Sequence, residues 1–263
     1  MSAAELQQAE ERSAREAAGG SRDKSRYVRA MFSEIAPRYD LLNHLLSGQL
    51  DRLWRARTTR RFRRILDRAD AMVLDLCCGT GDLAFSLSRG SRARIIGADF
   101  SHAMLVRARQ KSGESFSSSN PEHASAVSMP FFEADALRLP FADASFDLIT
   151  AAFGFRNLAN YEAGLREILR ILKPAGTVAI LEFTEPPAGL VGNLYRFYFR
   201  NVLPRVGGLI SGDSSAYTYL PRSVSRFFRP TELAALMASA GFAAPKFEVW
   251  TFGAVALHTA CKV

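Results

Sequence analysis

Met72-Val73-Leu74-Asp75-Leu76-Cys77-Cys78-Gly79-Thr80-Gly81-Asp82 is the stretch that decides the fold. The apolar run Met72 to Leu76, closed by glycines, predicts a short buried strand. Gly79 and Gly81 predict a tight turn that lets the backbone approach a ligand closely. The helix expected from Asp82 to about Ser88 would present its free N–H groups at the same place. Gly79-x-Gly81-x-x-Ala84 also satisfies a loose dinucleotide fingerprint, so on its own it does not separate one cofactor from another.

Working outward, apolar strands alternate with helices, which predicts an α/β domain with a mostly parallel sheet. Strands are expected at Arg94–Asp99, Met129–Glu133, Phe146–Ala152 and Thr177–Phe183, the last after a turn at Lys173-Pro174-Ala175-Gly176. Helices are expected from a Ser101 cap to about Lys111, at Tyr161–Leu172, and at Thr231–Ala240, stopped by Gly241. Phe247–Thr251 and Val255–Lys262, joined at Phe252-Gly253, predict an antiparallel hairpin at the end of the sheet. Residues 27–263 are read as a single domain, with a helical cap at 27–70 and a helical insertion at 188–222. Residues 1–26 are read as a disordered tail, and the Ser-rich stretch 112–128 as a loop.

Three acids stand at strand ends, where α/β folds bind ligands. Asp75 lies inside the turn, four residues before Gly79, and suits a cationic amino-acid ligand better than a pyrophosphate. Asp99 follows Gly81 by 18 residues, the place for a carboxylate that takes ribose hydroxyls. Asp135-Ala136 ends the next strand, where a side-chain acceptor can meet an adenine amino group. Phe153-Gly154-Phe155-Arg156-Asn157 follows the fourth strand, so Arg156 and Asn157 would lie beside the reacting group.

The chain has 263 residues and is 48% hydrophobic, enough to bury one substantial core. No stretch reaches the eighteen or more apolar residues of a membrane span. The first residues carry neither a signal h-region nor an acid-poor transit pattern, and the three cysteines make no disulfide framework, so a cytoplasmic setting is expected. The net charge of +8 concentrates between Arg52 and Arg68, where eight arginines face one acid. Trp54, Phe62, Ile65 and Leu66 fall on one helical face, predicting a single basic amphipathic helix. It is read as a solvated outer face, or as contact with an anionic membrane ahead of nucleic acid. His44, His102, His123 and His258 are dispersed without a ligand spacing, so no metal is expected.

VLDLCCGTGD, GADFS, EADALRLPF and REILRILKPAGTVAILEF together resemble the class I S-adenosylmethionine methyltransferases, whose Rossmann-like seven-stranded sheet ends in an antiparallel hairpin. MFSEIAPRYDLLNHLLSGQLDRLWR, AAFGFRNLANYEAGLREILRILKPAG, LPRVGGLISGDSSAYTYLPRS and FGAVALHTACK are similar to the ubiquinone/menaquinone biosynthesis C-methyltransferase family from Tyr27 onward. The resemblance implies S-adenosylmethionine as cofactor, held by Asp75, Gly79, Thr80, Gly81, Asp99, Asp135, Ala136 and Ala152. It implies C-methylation of a prenylated quinol at Arg156, Asn157 and Tyr39, with demethylmenaquinol the first choice from Cys77-Cys78 and a benzoquinol the alternative. Tyr217 and Tyr219 would close over the ring or simply pack, and the aromatic and basic segment 194–203 would line a groove for its tail, rest on a membrane or pack in the core. Ala152 stands where the family often has Ser, and Asp51 where it usually has His.

Methylation at carbon needs an electron-rich acceptor, so the site must stabilise a phenolate, the role expected of Arg156. Its pKa is too high for a base, and His258 is a candidate base that competes with a plain sheet histidine. The basic charge leaves an RNA methyltransferase as an alternative, though nucleic acid is not the expected partner. A non-catalytic cofactor-binding scaffold is another, and a homodimer stays open.

Overall fold

A computed structural model describes residues 22–117, 129–186, 189–198, 201 and 215–263 of the protein. Its centre is a seven-stranded sheet in the order β3-β2-β1-β4-β5-β7-β6. The strands are β1 (Met72–Leu76), β2 (Arg94–Asp99), β3 (Phe131–Glu133), β4 (Phe146–Ala152), β5 (Leu172–Phe183), β6 (Ala243–Trp250) and β7 (Val255–Cys261). β1 to β5 pair in parallel, while β7 runs antiparallel between β5 and the edge strand β6, as the hairpin reading required. The chain reverses its direction of travel across the sheet between β1 and β4, and crevices at such reversals are where α/β ligands sit.

Among the described residues, four α-helices precede the sheet: α1 (Arg22–Ile35), α2 (Tyr39–Leu46), α3 (Leu50–Arg61) and α4 (Arg63–Leu66). α5 (Asp82–Ser88), α6 (His102–Ser117) and α7 (Tyr161–Ile171) cross between strands; α8 (Leu190–Phe197), α9 (Ser215–Ser225) and α10 (Pro230–Ser239) follow β5. Alternate residues of β1 feed the two faces: Leu74 packs with Ile149, Leu165 and Ile168 beneath α7 and α10. Val73 packs with Trp54, Phe62, Leu83 and Leu105 beneath α3, α5 and α6. A third cluster joins Val28, Met31 and Ile35 of α1 to Tyr219 and Val224 of α9.

Several expectations shift. α1 begins at Arg22, ahead of the tail boundary at 26, because Val28, Met31 and Ile35 recur on one helical face and are buried. α6 runs to Ser117, six residues past Lys111, so part of the Ser-rich loop is helical; the remainder, 118–128, lies outside the described residues. β5 absorbs the turn at Lys173–Gly176 as a register shift against β4, with Ala175 at φ 60°. The arginine-rich segment is not one helix: Phe62 leaves helical geometry (φ −104°, ψ 15°) and divides α3 from α4. Of segment 194–203, α8 holds the first four residues, and most of the rest lies outside the described residues, as does the side chain of Tyr217.

Candidate active site

β1, β2 and β4 deliver their C-terminal ends to one cavity, lined by Asp75, Gly79, Thr80, Asp99, Asp135, Ala136, Ala152 and Asn157. Seven of the eight expected cofactor residues therefore meet there. Gly81 does not line it: at φ 85°, a Cβ would come within 2.9 Å of the Phe85 ring and 3.2 Å of Phe131. Its work is to turn the chain into α5 under those rings. Gly79 faces the opening, where a Cβ would meet nothing nearer than the Tyr39 ring at 4.0 Å. Cys77 and Phe153 both adopt left-handed backbone, at φ 54° and 59°, where the two strands end. Between them Gly154 is obligatory, since a Cβ there would lie 2.4 Å from Cys77 Cβ. Burial pushes both the Cys77 and Cys78 thiols well up, so neither is a thiolate.

The acids are not spent. Asp75, 1% exposed, accepts from Thr150 Oγ1 at 2.8 Å through Oδ1, while its buried Oδ2 has no hydrogen-bond partner. Burial raises its carboxyl to about 7, against the Thr150 hydrogen bond. Asp99 accepts from the Gly79 and Ser101 N–H groups at 2.9 and 2.8 Å, leaving further lone pairs, and burial holds it near 6. Ser101, expected as a side-chain cap, has a buried hydroxyl without a partner; Asp99 bonds the backbone of that turn in its stead. Asp135 braces its own turn through Leu137 N at 2.9 Å.

A second cavity opens beside the first and shares Phe32, Tyr39, Arg55 and Phe153 with it. Arg156 lines it, buried to 6%, with Nη1 on Glu182 Oε1 at 2.9 Å and Nε on Ser223 Oγ at 3.3 Å. Asn157 accepts from the hydroxyl of buried Tyr219 at 3.0 Å. Lys24 of α1 latches this loop, donating to Arg156 O at 3.0 Å, Leu158 O at 2.8 Å and Tyr161 Oη at 3.1 Å. Burial, with Arg156 nearby, lowers its ammonium to about 8. Thr80 Oγ1 donates to Asp40, and Lys111 Nζ reaches Asp40 at 2.9 Å and Asp82, tying the helical cap to the glycine turn.

Arg55, one of the eight arginines of the basic segment, lines both cavities, and no motif marks Glu182 or Lys24 in the sequence. His258 lines neither cavity; it is buried in β7, with Nε2 donating to Pro230 O at 3.0 Å and Nδ1 without a hydrogen-bond partner. His44, Asp51 and Asp82 bring one ligand atom each within 4.8 Å, a grouping the scattered histidines did not announce. Arg55 and Lys111 lie on the same carboxylates, which are thereby already matched by cations.

A parallel sheet closed by this hairpin, with acids at the ends of β1 and β2 around a glycine turn, defines a Rossmann-like methyltransferase that takes its methyl group from S-adenosylmethionine. A crystal structure titled as a possible histamine N-methyltransferase from Thermotoga maritima shares the fold, with a TM-score of 0.61 at 19% identity over 89% of this chain and 99% of that one. The chain belongs to the ubiE/COQ5 methyltransferase family, which it matches over residues 21–262. A demethylmenaquinone methyltransferase of Thermus thermophilus is 50% identical over 87% of this chain and 98% of its own. A ubiquinone/menaquinone biosynthesis C-methyltransferase UbiE of Geobacter sulfurreducens is 41% identical over 91% and 90%.

The residues fit that donor. Asp75 keeps an orphaned buried oxygen for a cation, Asp99 keeps lone pairs for hydroxyls, and Gly79 leaves the space a side chain would fill.

Proposed function

We propose that the protein methylates a ring carbon of a prenylated quinol, with demethylmenaquinol as substrate. The observation that carries this is the second cavity, which joins an apolar lining of Met31, Ile35 and Phe183 to the guanidinium of Arg156, 5.6 Å from the centre of the Phe183 ring. The relative named for demethylmenaquinone is also nearer in identity than the one named for both quinones. Bound in the first cavity, S-adenosylmethionine supplies an electrophilic methyl group. The chain's own part is to hold an acceptor ring in the second cavity and to stabilise the phenolate that makes its carbon nucleophilic. Arg156 gives that oxygen a fixed cation, Asn157 and Tyr39 position the ring at the junction, and the Glu182 pairing keeps the guanidinium from rotating away. The direct test is transfer of labelled methyl to demethylmenaquinol, a prenylated benzoquinol and RNA. Label is expected in the naphthoquinol; label in RNA alone would refute the reading.

A polyprenyl quinol resides in the bilayer, and no described helix is long and apolar enough to cross one. We place the membrane contact on an apolar rim rather than on the arginine cluster. Arg55 points inward, Arg57 and Arg61 pair with Glu248, Arg63 with Asp67, and Arg68 with Asp70 and Asp147. By contrast Leu190, Leu194 and Phe197 of α8 are 87%, 68% and 59% exposed, and Phe252 is 79% exposed. α8 packs on the Thr251–Gly253 turn, and Trp54 Nε1 donates to that turn's Thr251 at 2.8 Å, which brings α3, with exposed Arg52 and Leu53 next to Trp54 in sequence, to the same turn. Apolar side chains beside basic ones suit an anionic lipid surface. Replacing Leu190, Leu194 and Phe197 with Ser should abolish sedimentation with anionic vesicles while leaving activity on a short-tailed quinol intact. Equal sedimentation of variant and parent would remove the rim from the account.

A further inference from the structure

A cluster of side chains at the junction of the two cavities has no part in the mechanism above. Arg55 lines both cavities with its side chain only 10% exposed. Its Nη1 donates to Asp51, Nη2 lies 3.6 Å from Asp82, beyond hydrogen-bond reach, and the guanidinium sits 5.7 Å from the centre of the Phe153 ring. A guanidinium has five N–H donors, so donors are left for an occupant of the acceptor cavity. Asp51, 4% exposed, lines that cavity as well. Its Oδ2 takes His44 Nδ1 at 2.7 Å and Arg55, and its Oδ1 takes Ser47 Oγ at 2.7 Å. A carboxylate offers about four acceptor positions. One therefore remains, next to unspent donors.

We infer that Arg55 and Asp51 form a donor–acceptor pair that reads a hydroxyl of the acceptor and selects the reduced quinol over its quinone. The inference rests on the quinol reading of the site. A quinol hydroxyl accepts from Arg55 and donates to Asp51. A quinone carbonyl accepts from Arg55 in the same way but sets its oxygen against the Asp51 carboxylate with no hydrogen between them. A site built to bond a hydroxyl rejects the analogue that lacks it because its own buried polar group is left unpaired. The selection has a chemical consequence: the quinone ring is electron-poor, and its binding would occupy the site without reaction. His44 and Ser47, which hydrogen-bond Asp51, are positioning residues.

The test measures anaerobic binding of a single-isoprene demethylmenaquinol and of the matching quinone to protein saturated with S-adenosylhomocysteine, which cannot react. The native protein should prefer the quinol by roughly tenfold to a hundredfold, the fold-change of one unsatisfied buried group. Asp51→Asn, whose amide donates to a carbonyl, should bring the two affinities to within about twofold. Asp51→Ser, with a hydroxyl that both donates and accepts, should shrink the ratio too and serves if the amide variant misfolds. Arg55→Met removes the donor that both forms use, so both affinities fall and the preference stays. Equal binding of both forms by the native protein, or an Asp51 variant that weakens both alike and keeps the preference, would overturn the pair's role. Native protein that binds neither form would instead overturn the substrate reading, and this inference with it.

Discussion

Arg156→Ala is expected to lose roughly a hundredfold to a thousandfold in turnover while S-adenosylmethionine affinity holds within about twofold, because one fixed donor at a developing oxyanion contributes on that scale. The geometry also predicts a second cost. Arg156 is the ion-pair partner of Glu182, which is 1% exposed, so truncation strands a buried carboxylate. Breaking such a pair from one side typically costs about 3–5 kcal/mol. The two effects separate in the double variant Arg156→Met, Glu182→Gln. Its melting temperature should recover most of the loss, since no charge is left unpaired, yet its turnover should stay low. A double variant that regained both would mean that Arg156 acts through the fold alone. Single-turnover assays on the short-tailed quinol, alongside thermal melts, decide this.

Asp75→Asn should make the cofactor-free protein more stable at pH 8 and cripple its cofactor binding. Burial raises Asp75 from an ordinary 3.8 to about 7 in the folded chain. Between those values the folded state holds a proton that the unfolded state has released, so stability falls as pH rises from about 4 to 7 and then levels off. The full interval corresponds to on the order of 4 kcal/mol. Asn carries no charge to bury, so the difference in unfolding free energy between variant and parent should grow across that window and favour the variant above it. Cofactor affinity should show the opposite sign. The parent should bind S-adenosylmethionine more tightly as pH rises through about 7 and Asp75 ionises, and the variant should lack that dependence. Denaturant melts and binding titrations at pH 5 and pH 8 measure both halves. A variant no more stable than its parent at pH 8 would show that Asp75 carries no buried-charge penalty.

Much of this architecture was legible from the chain. The strands at Met72–Leu76, Arg94–Asp99 and Phe146–Ala152, and the helix at Asp82–Ser88, lie where apolar runs bounded by glycine and polar residues put them. Those signals are local: a buried strand needs a short apolar run, and its end needs a residue that can turn. The acids that line the cavity were legible for the same reason, because a strand's C-terminal end in a parallel sheet is a fixed address. Knowing where β1, β2 and β4 stop was enough to bring Asp75, Asp99 and Asn157 to one cavity.

Facing and pairing were decided by tertiary structure. Eight arginines between 52 and 68 look alike in sequence. Arg55 turns inward because Asp51, one helical turn before it, and Asp82, from beyond β1, both lie on its side of α3. Arg57 and Arg61 turn outward to Glu248, which arrives from the far edge of the sheet. Glu182, 26 residues after Arg156, and Lys24, 132 residues before it, fix the loop that carries Arg156 from opposite directions. A strand or a glycine turn is written in neighbouring residues. The partner of a buried charge is chosen by whichever distant element packs against it, and desolvation leaves that charge no stable place without one.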